Sequence, residues 1–402
     1  MVRTETTRPD FCPNPACRFH QRESAAGYQW YVRFGTFHTR ARGRIQRFRC
    51  RDCGRTCSTQ TFSIHYWTHY TNDLPWLLGQ LSTSSGLRQI GRVAGVTHRV
   101  IQNRCRRLAR NALAVMDAAL ASLEVREHLA FDGFESFTRN RYHPNNITHL
   151  TGCASQFIYA AVHTLFRRKG SMTEEQKQQR ERIDTLWRPS STVGEQTSQL
   201  LADLQQPIDS ACGRRRDPLE LRSDEHPAYP KAIRSVDALS ARLADGSLVH
   251  KPTSSKAART AANPLFAVNY VDRQMRANLG EYARETIHHG REVNAQMERF
   301  SIFMVVHNFL TPHRVTGHAK VLGLPTHADV AGVGGKQVET VLRGMCSRRY
   351  LYTHLRGAQW WIRRTWLRLH ENPPSVRVRG GDELVTRSVC LGQAAVPRYL
   401  LA

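Results

Sequence analysis

No stretch of the chain comes near the roughly 20 consecutive apolar residues of a membrane-spanning helix, and the N-terminus lacks the apolar core of a signal peptide. A soluble, cytoplasmic protein is therefore expected. Lysine is scarce: seven occur, the first at position 169, whereas Lys and Arg together number 58. The positive charge is therefore almost all guanidinium, the group suited to bidentate phosphate contacts, although a GC-rich genome would produce the same bias. Acids number only 33, which leaves a formal net charge of +25. Such an excess is the footprint of a polyanion binder, and nucleic acid is the expected partner. There is no phosphate-cradling glycine loop, no internal repeat and no lipidation motif, so nucleotide hydrolysis is not expected. Ten cysteines in 402 residues are too few for a disulfide scaffold. In the cytosol, clustered thiols hold metal.

Cys12 and Cys17 form a C-x4-C knuckle, and Cys50 and Cys53 a C-x2-C knuckle. Two such knuckles suit a zinc ribbon, in which four thiolates meet tetrahedrally at the tips of two hairpins. Between them, 28–37 and 46–48 have the aromatic, alternating look of short strands. Cys57 follows too closely to be a fifth ligand and reads as a small buried residue. Residues 1–60 hold twelve arginines, no lysine and four acids. A segment so basic should lie on phosphate.

From Leu87 the pattern reads as a helix, a tight turn at Gly95, and a second helix opened by Thr97 as N-cap. In that second helix Ile101, Cys105, Leu108 and Ala112 share one face, while His98, Arg99, Gln102, Asn103 and Arg106 point away. This is the layout of a helix-turn-helix that reads the major groove; an ordinary helical hairpin shares the apolar pattern but not the basic face. The Ala-rich stretch 111–123 reads as a linker helix.

Leu129-Ala130-Phe131 delivers Asp132 to the end of a buried strand, where Gly133 lets the chain leave. A carboxylate there faces water, pairs with a base or binds a metal. Residues 148–166 fit two further strands with a turn near Ala154, and 171–206 two helices with a loop at 189–191. Residues 218–222 form a strand that ends on Ser223-Asp224, and 248–251 a fifth short strand. A helix follows with apolar positions 268, 271, 275 and 279, and Asn269, Asp272 and Arg276 share its second face. Phosphodiester chemistry with two divalent ions needs several carboxylates, and Asp132, Asp224 and Asp272 are the candidates. The competing reading of Asp272 is an intrahelical pair with Arg273 or Arg276. Glu298, also preceded by an Asn at four residues, rivals it for the third position.

The order of these elements resembles the DDE/DDD transposases of short bacterial insertion sequences: zinc ribbon, helix-turn-helix, strand-Asp, strand-Ser-Asp-x4-Tyr-Pro, helix-Asn-x2-Asp-Arg. The resemblance covers about 10–310, including the Arg284-Glu285-Thr286 segment. It departs at the third acid, where the family has glutamate and this chain Asp272. It implies a multidomain α+β chain: a zinc ribbon (1–70), a helix-turn-helix domain (71–124), and a ribonuclease-H-like catalytic core over 125–318, with a mixed five-stranded sheet and a helical insertion at about 170–206. Residues 319–402 would be a basic C-terminal region with a glycine-rich linker, a helical segment bearing Trp360, Trp361 and Trp366, and a poorly ordered tail. The implied activity is cleavage and strand transfer of DNA by Asp132, Asp224 and Asp272 with Mg2+ (or Mn2+), beside structural Zn2+. DNA ends and target DNA would be the partners, with a homodimer or higher oligomer on DNA and no membrane. Two rivals remain: a catalytically inactive DNA-binding regulator, and a structure-specific nuclease on the same core.

Overall fold

A computed structural model describes residues 9–70, 72–283, 288–314, 323–357, 359–379 and 382–386. The Arg284–Thr286 segment of the resemblance lies outside them.

The N-terminal part holds a short helix α1 (Arg22–Ala25) and three antiparallel strands, β1 (Tyr31–Thr39), β2 (Gly43–Cys50) and β3 (Thr56–Ser58), in that order across the sheet. Phe11, Trp30 and Phe48 bury their rings beside the cysteines, and Cys57 is buried as expected. A helical segment follows: α2 (Leu74–Leu81), with Pro75 in its first turn and Asp73 capping the Trp76 amide, then α3 (Leu87–Val93) and α4 (His98–Leu120). Gly95, at φ +65°, makes the turn between α3 and α4. A Cβ on Gly91 would meet the Val96 carbonyl oxygen at 2.8 Å, so this glycine permits the close approach of helix and turn.

The stretch 111–123 is not a separate linker helix. It continues α4, and every residue from Asn111 to Leu120 is buried. The N-terminal half of α4 packs with α2 and α3, and its C-terminal half joins the main core. One helix thus shares both hydrophobic clusters.

The central sheet consists of β4 (Leu129–Phe137), β5 (Pro144–Gly152), β6 (Ile158–Leu165), β7 (Leu219–Asp224) and β8 (Leu248–Thr253), in the order β6-β5-β4-β7-β8. The β4–β5 and β5–β6 pairs are antiparallel, whereas β4–β7 and β7–β8 are parallel. The fold is therefore mixed α+β. The strand carrying Asp132 does not end there: it runs on to Phe137 in unbroken pairing with β5. Gly133 has a different reason from the one expected, because a Cβ there would collide with the Asn146 amide.

Between β6 and β7 lie α5 (Glu174–Leu186), α6 (Val193–Asp203) and α7 (Gln205–Arg214); α8 (Ala228–Arg234) and α9 (Asp237–Ala244) connect β7 to β8. Then come α10 (Phe266–Asn278) and α11 (Val293–Leu310). Alternation along β4 sends Phe131 against Tyr229 of α8, ring centroids 4.8 Å apart, while Ala130 packs with Val268 of α10. The two helices thus cover opposite faces.

The C-terminal region is more integrated than the expected linker, basic helix and loose tail. Residues 323–335 contain α12 (His327–Ala331), closed by Gly332 at φ +69°. Beyond it α13 (Lys336–Gly344) and α14 (Trp360–Trp366) replace the longer helix. Trp361 and Trp366 are buried in the core, and Trp360 is partly buried beneath Arg364. Asp203 accepts from the amides of Trp360 and Trp361, and the Asn111 amide donates to the carbonyls of Met345 and Arg348. Strands β9 (Ser375–Arg379) and β10 (Asp382–Thr386) form a hairpin in the expected tail, whose remaining residues 387–402 lie outside the described ones.

Glu298 of α11 occupies the interior with Arg368: both side chains are buried and ion-paired. Arg368 also reaches Glu292 at 2.5 Å. Removing one member of such a pair leaves a buried charge alone, at a cost of roughly 3–5 kcal/mol. Arg368→Ala is therefore expected to lower the urea midpoint sharply, and an unchanged midpoint would show that the pair carries no net stability.

Candidate metal centres and nucleic-acid interface

The four cysteines of the two knuckles converge. Their sulfurs all lie within 4.8 Å of one another, and among the described residues they form the one group of three or more Cys, His, Asp or Glu with that property. Cys12 and Cys53 sulfurs are 3.6 Å apart, and Cys17 and Cys50 3.7 Å. A tetrahedron with Zn–S bonds of about 2.3 Å has edges of roughly 3.8 Å, so the donor set fits a zinc ion. Burial raises the Cys12 and Cys17 thiols, the latter to about 12. Burial raises Cys53 too, but hydrogen bonds from the Arg55 backbone, Asn14 and the neighbouring cysteines outweigh it and bring that thiol down to about 7.

The surface around this centre is basic and aromatic. On β1, Phe34 and Phe37 are each 40% exposed. Arg47 and Arg49 sit over the Phe34 ring, at 5.2 and 5.6 Å. Exposed ring faces among guanidinium groups suit nucleic acid, with bases or sugars on the rings and phosphates on the arginines.

The start of α4 presents a second basic surface. His98, Arg99 and Asn103 are exposed and Gln102 is half-buried. Arg106 departs from the expected outward face: its Nε lies 3.8 Å from the Glu298 carboxylate, which is buried. Docking of α4 against α11 creates this pairing, which no reading of α4 alone contains.

The three candidate aspartates come from three elements. The β4–β7 register pairs Leu129 with Leu221 and Ala130 with Arg222. Extended by two residues, the same register sets Asp132 level with Asp224 on the neighbouring strand, with equal parity. Asp272 arrives from α10, on the face that Asp132 shares with Ala130. Each carboxylate has one oxygen held by an N–H: the Gly133 amide donates to Asp132 Oδ1 at 2.6 Å, the His226 amide to Asp224 Oδ1 at 2.9 Å, and His149 Nε2 to Asp272 Oδ1 at 3.0 Å. Burial first, then the Asp224 charge, and further on that of Asp272, push the Asp132 carboxyl up to about 7. The three are near enough to repel, yet their oxygens do not all fall within 4.8 Å of one another. Glu298, the rival third acid, lies instead among the Arg368, Arg106 and Arg110 charges.

His149 escaped sequence reasoning. It is fully buried on β5 directly opposite Asp132, and its Nδ1 is 2.8 Å from the Thr151 hydroxyl. With Nδ1 accepting from that hydroxyl, the Nε2 proton goes to Asp272. The available signal was parity: once β4 and β5 pair, His149 falls on the acid-bearing face. Tyr229 of the Ser-Asp-x4-Tyr-Pro motif is 1% exposed. Burial, with the charges of Asp132 and Asp224, raises its phenol well above the ordinary value. It anchors α8 to the sheet beside the acids.

No helix among the described residues is long and apolar enough to cross a membrane. Comparison of the chain with protein-family models, curated proteins and solved structures returns no match.

Proposed function

We propose that this protein is a DNA transposase. In this reading a zinc ribbon and a helix-turn-helix bind the ends of a mobile element, and a ribonuclease-H-like core cuts and joins DNA strands. The observation that carries it is the approach of three carboxylates from β4, β7 and α10 in a strongly basic chain, with the charges of Asp224 and Asp272 close enough to raise Asp132. Carboxylate oxygens are hard donors that suit Mg2+ or Mn2+, and a cation would relieve the mutual repulsion of the three acids. Asp132, Asp224 and Asp272 would hold such ions. Bound there, they would supply Lewis acidity to the scissile phosphate and make an attacking water or 3′-hydroxyl more acidic at neutral pH.

The chain's own residues contribute positioning. The His149 imidazole fixes the Asp272 carboxylate, and the amides of Gly133 and His226 fix one oxygen each of Asp132 and Asp224. Tyr229 keeps α8, and with it the His226 amide, against the sheet. His98, Arg99, Gln102 and Asn103 are the candidates for base and phosphate contacts, with Arg106 withdrawn to Glu298. The basic, aromatic face of β1 adds sequence-independent contacts to phosphate.

The test is strand cleavage and joining by purified protein on a labelled element-end duplex with a plasmid target and Mg2+. Joining by the wild type supports the reading. Tight sequence-specific binding with neither cleavage nor joining favours the inactive regulator. Cutting of branched DNA without joining favours the nuclease.

A further inference from the structure

A broad groove of about 1520 Å3 opens on the sheet face covered by α6 and α8. It exceeds the roughly 300–1,000 Å3 of small-molecule sites, which points to a polymeric occupant. Its lining includes Glu135 and Ser136, just beyond Asp132 on β4, and His226, whose amide holds Asp224. None of Asp132, Asp224 and Asp272 lines the groove; it lies on the sheet face opposite to theirs and shares with them only β4 and the turn after β7. Leu165, Phe166, Val193 and Pro227 are among the lining residues, beside polar ones and the acids Glu195 and Asp237. Arg141, Lys169, Arg188 and Lys231 also line it, each of them exposed.

These four cations come from the β4–β5 turn, the β6–α5 loop, the α5–α6 loop and α8, segments far apart in sequence. Among the described residues none of the four forms an ion pair. By contrast Arg167, on the same wall, is held by Asp184 at 2.5 Å. Unpaired cations from four segments, with apolar side chains such as Leu165 and Phe166 between them in the lining, match a ligand with regularly spaced negative charge and flat apolar faces. An unpaired DNA strand has both, whereas a duplex hides its base faces in the stack. We propose that this groove, walled on one side by α6 and the loop before it, holds a single DNA strand. The proposal rests on the transposase reading for the identity of the polymer. It also accounts for part of the insertion, since α6 and the loop before it supply a wall that the sheet alone lacks.

The test uses the full chain, fluorescence anisotropy and a labelled oligothymidylate of about 12 nucleotides, within the usual single-strand site size. The groove variant Lys169→Gln/Arg188→Gln/Lys231→Gln is compared with a control that removes three exposed cations elsewhere, Arg214→Gln/Lys336→Gln/Arg343→Gln. All substitutions are on the surface, and circular dichroism checks that both variants fold. The groove variant is expected to bind the single strand about 10- to 100-fold more weakly. Its salt dependence should become shallower by about 2 in log–log slope, since each lost phosphate contact removes roughly 0.7. The control should lose less than about threefold by the same counting, and a duplex of the same length should be affected little by the groove substitutions. Photo-crosslinking of a 4-thiothymidine-bearing strand should label peptides containing Phe166 or Arg188.

Failure of the wild type to bind the oligonucleotide would overturn the inference. So would equal losses in the two variants, equal losses for single strand and duplex, or competition by polyglutamate as strong as by oligothymidylate, which would mark a general anion trough. No catalysis enters this measurement. Groove-dependent binding without strand joining would therefore sink the transposase reading alone, and joining without groove-dependent binding would sink this proposal alone.

Discussion

Replacing Cys50 with alanine is expected to abolish zinc binding, about one ion per chain on the four-thiolate stoichiometry, and to unfold the region around it. Few apolar side chains are buried there besides Phe11, Trp30 and Phe48, so hydrophobic packing alone cannot offset the chain entropy of ordering the knuckles. A structural zinc ion supplies roughly 10–16 kcal/mol to small folds of this kind, comparable with the whole stability of an ordinary domain. The unfolding should spread to the contacts that tie this region to the C-terminal segment: the Asp10–Arg348 ion pair at 2.9 Å, His20 Nε2 against the Thr353 hydroxyl at 2.8 Å, and the Phe11 ring 4.0 Å from that of His354. Metal analysis with hydrogen exchange checks this. Protection should vanish over 9–58 and weaken over 345–357, while the central sheet stays protected. Because burial raises the Cys12 and Cys17 thiols, metal must displace protons, and zinc affinity should fall as pH falls. Wild-type protection after complete removal of zinc would show that packing suffices and the thiols are not structural ligands.

The second large effect concerns Asp132. On the transposase reading, Asp132→Ala should reduce strand cleavage and joining by at least about 1,000-fold, because it removes the carboxylate on which the charges of the other two both act. Asp272→Ala should act similarly, and Glu298→Ala should fail through instability rather than through chemistry. His149→Ala should lower the rate less than either aspartate change, and His149→Gln, which keeps a donor, should restore part of it. Unaltered cleavage by Asp132→Ala would remove this site from consideration.

Asp132 also carries a stability signature that needs no substrate. Its carboxyl sits at about 7 in the folded chain against an ordinary value of 3.8. The folded state therefore binds more protons between those values, and stability falls as pH rises from about 4 to about 7. Asp132→Asn removes the charge. Without divalent metal at pH 8 it should be more stable than wild type by about 1–3 kcal/mol, a discounted fraction of a shift worth roughly 1.4 kcal/mol per pH unit. The difference should disappear near pH 4, and magnesium should narrow it at pH 8 by stabilising only the wild type. Calorimetry at the two pH values decides. A destabilised Asn variant at pH 8 would mean that the three charges do not repel as their arrangement requires.

Much of the local structure is legible in the residues. The two cysteine knuckles, the strands around Asp132 and Asp224, the helix bearing Asp272 and the Gly95 turn rest on spacing, alternation and a glycine needing positive φ. These are properties of neighbours in the chain, so the sequence carries them directly. What the sequence by itself determined is therefore the inventory: four thiols with metal spacing, three acids on separate elements, and a large excess of guanidinium groups. The tertiary structure decided which of these meet. Parallel pairing of β4 with β7 brought the Asp224 charge to bear on Asp132, and antiparallel pairing with β5 put His149, which also reaches Asp272, directly opposite Asp132. Both depend on inter-strand register, which the apolar pattern of one strand cannot specify. The docking of α4 on α11 turned Arg106 from the expected DNA surface to Glu298. The same packing made the supposed linker helix part of the core, and the C-terminal segment, read as a basic appendage, became the partner of both the four-cysteine region and α4. Those outcomes belong to the tertiary structure because a buried charge is tolerated only where a distant segment brings its counter-charge, and an apolar helix face is satisfied only by whichever surface folds against it.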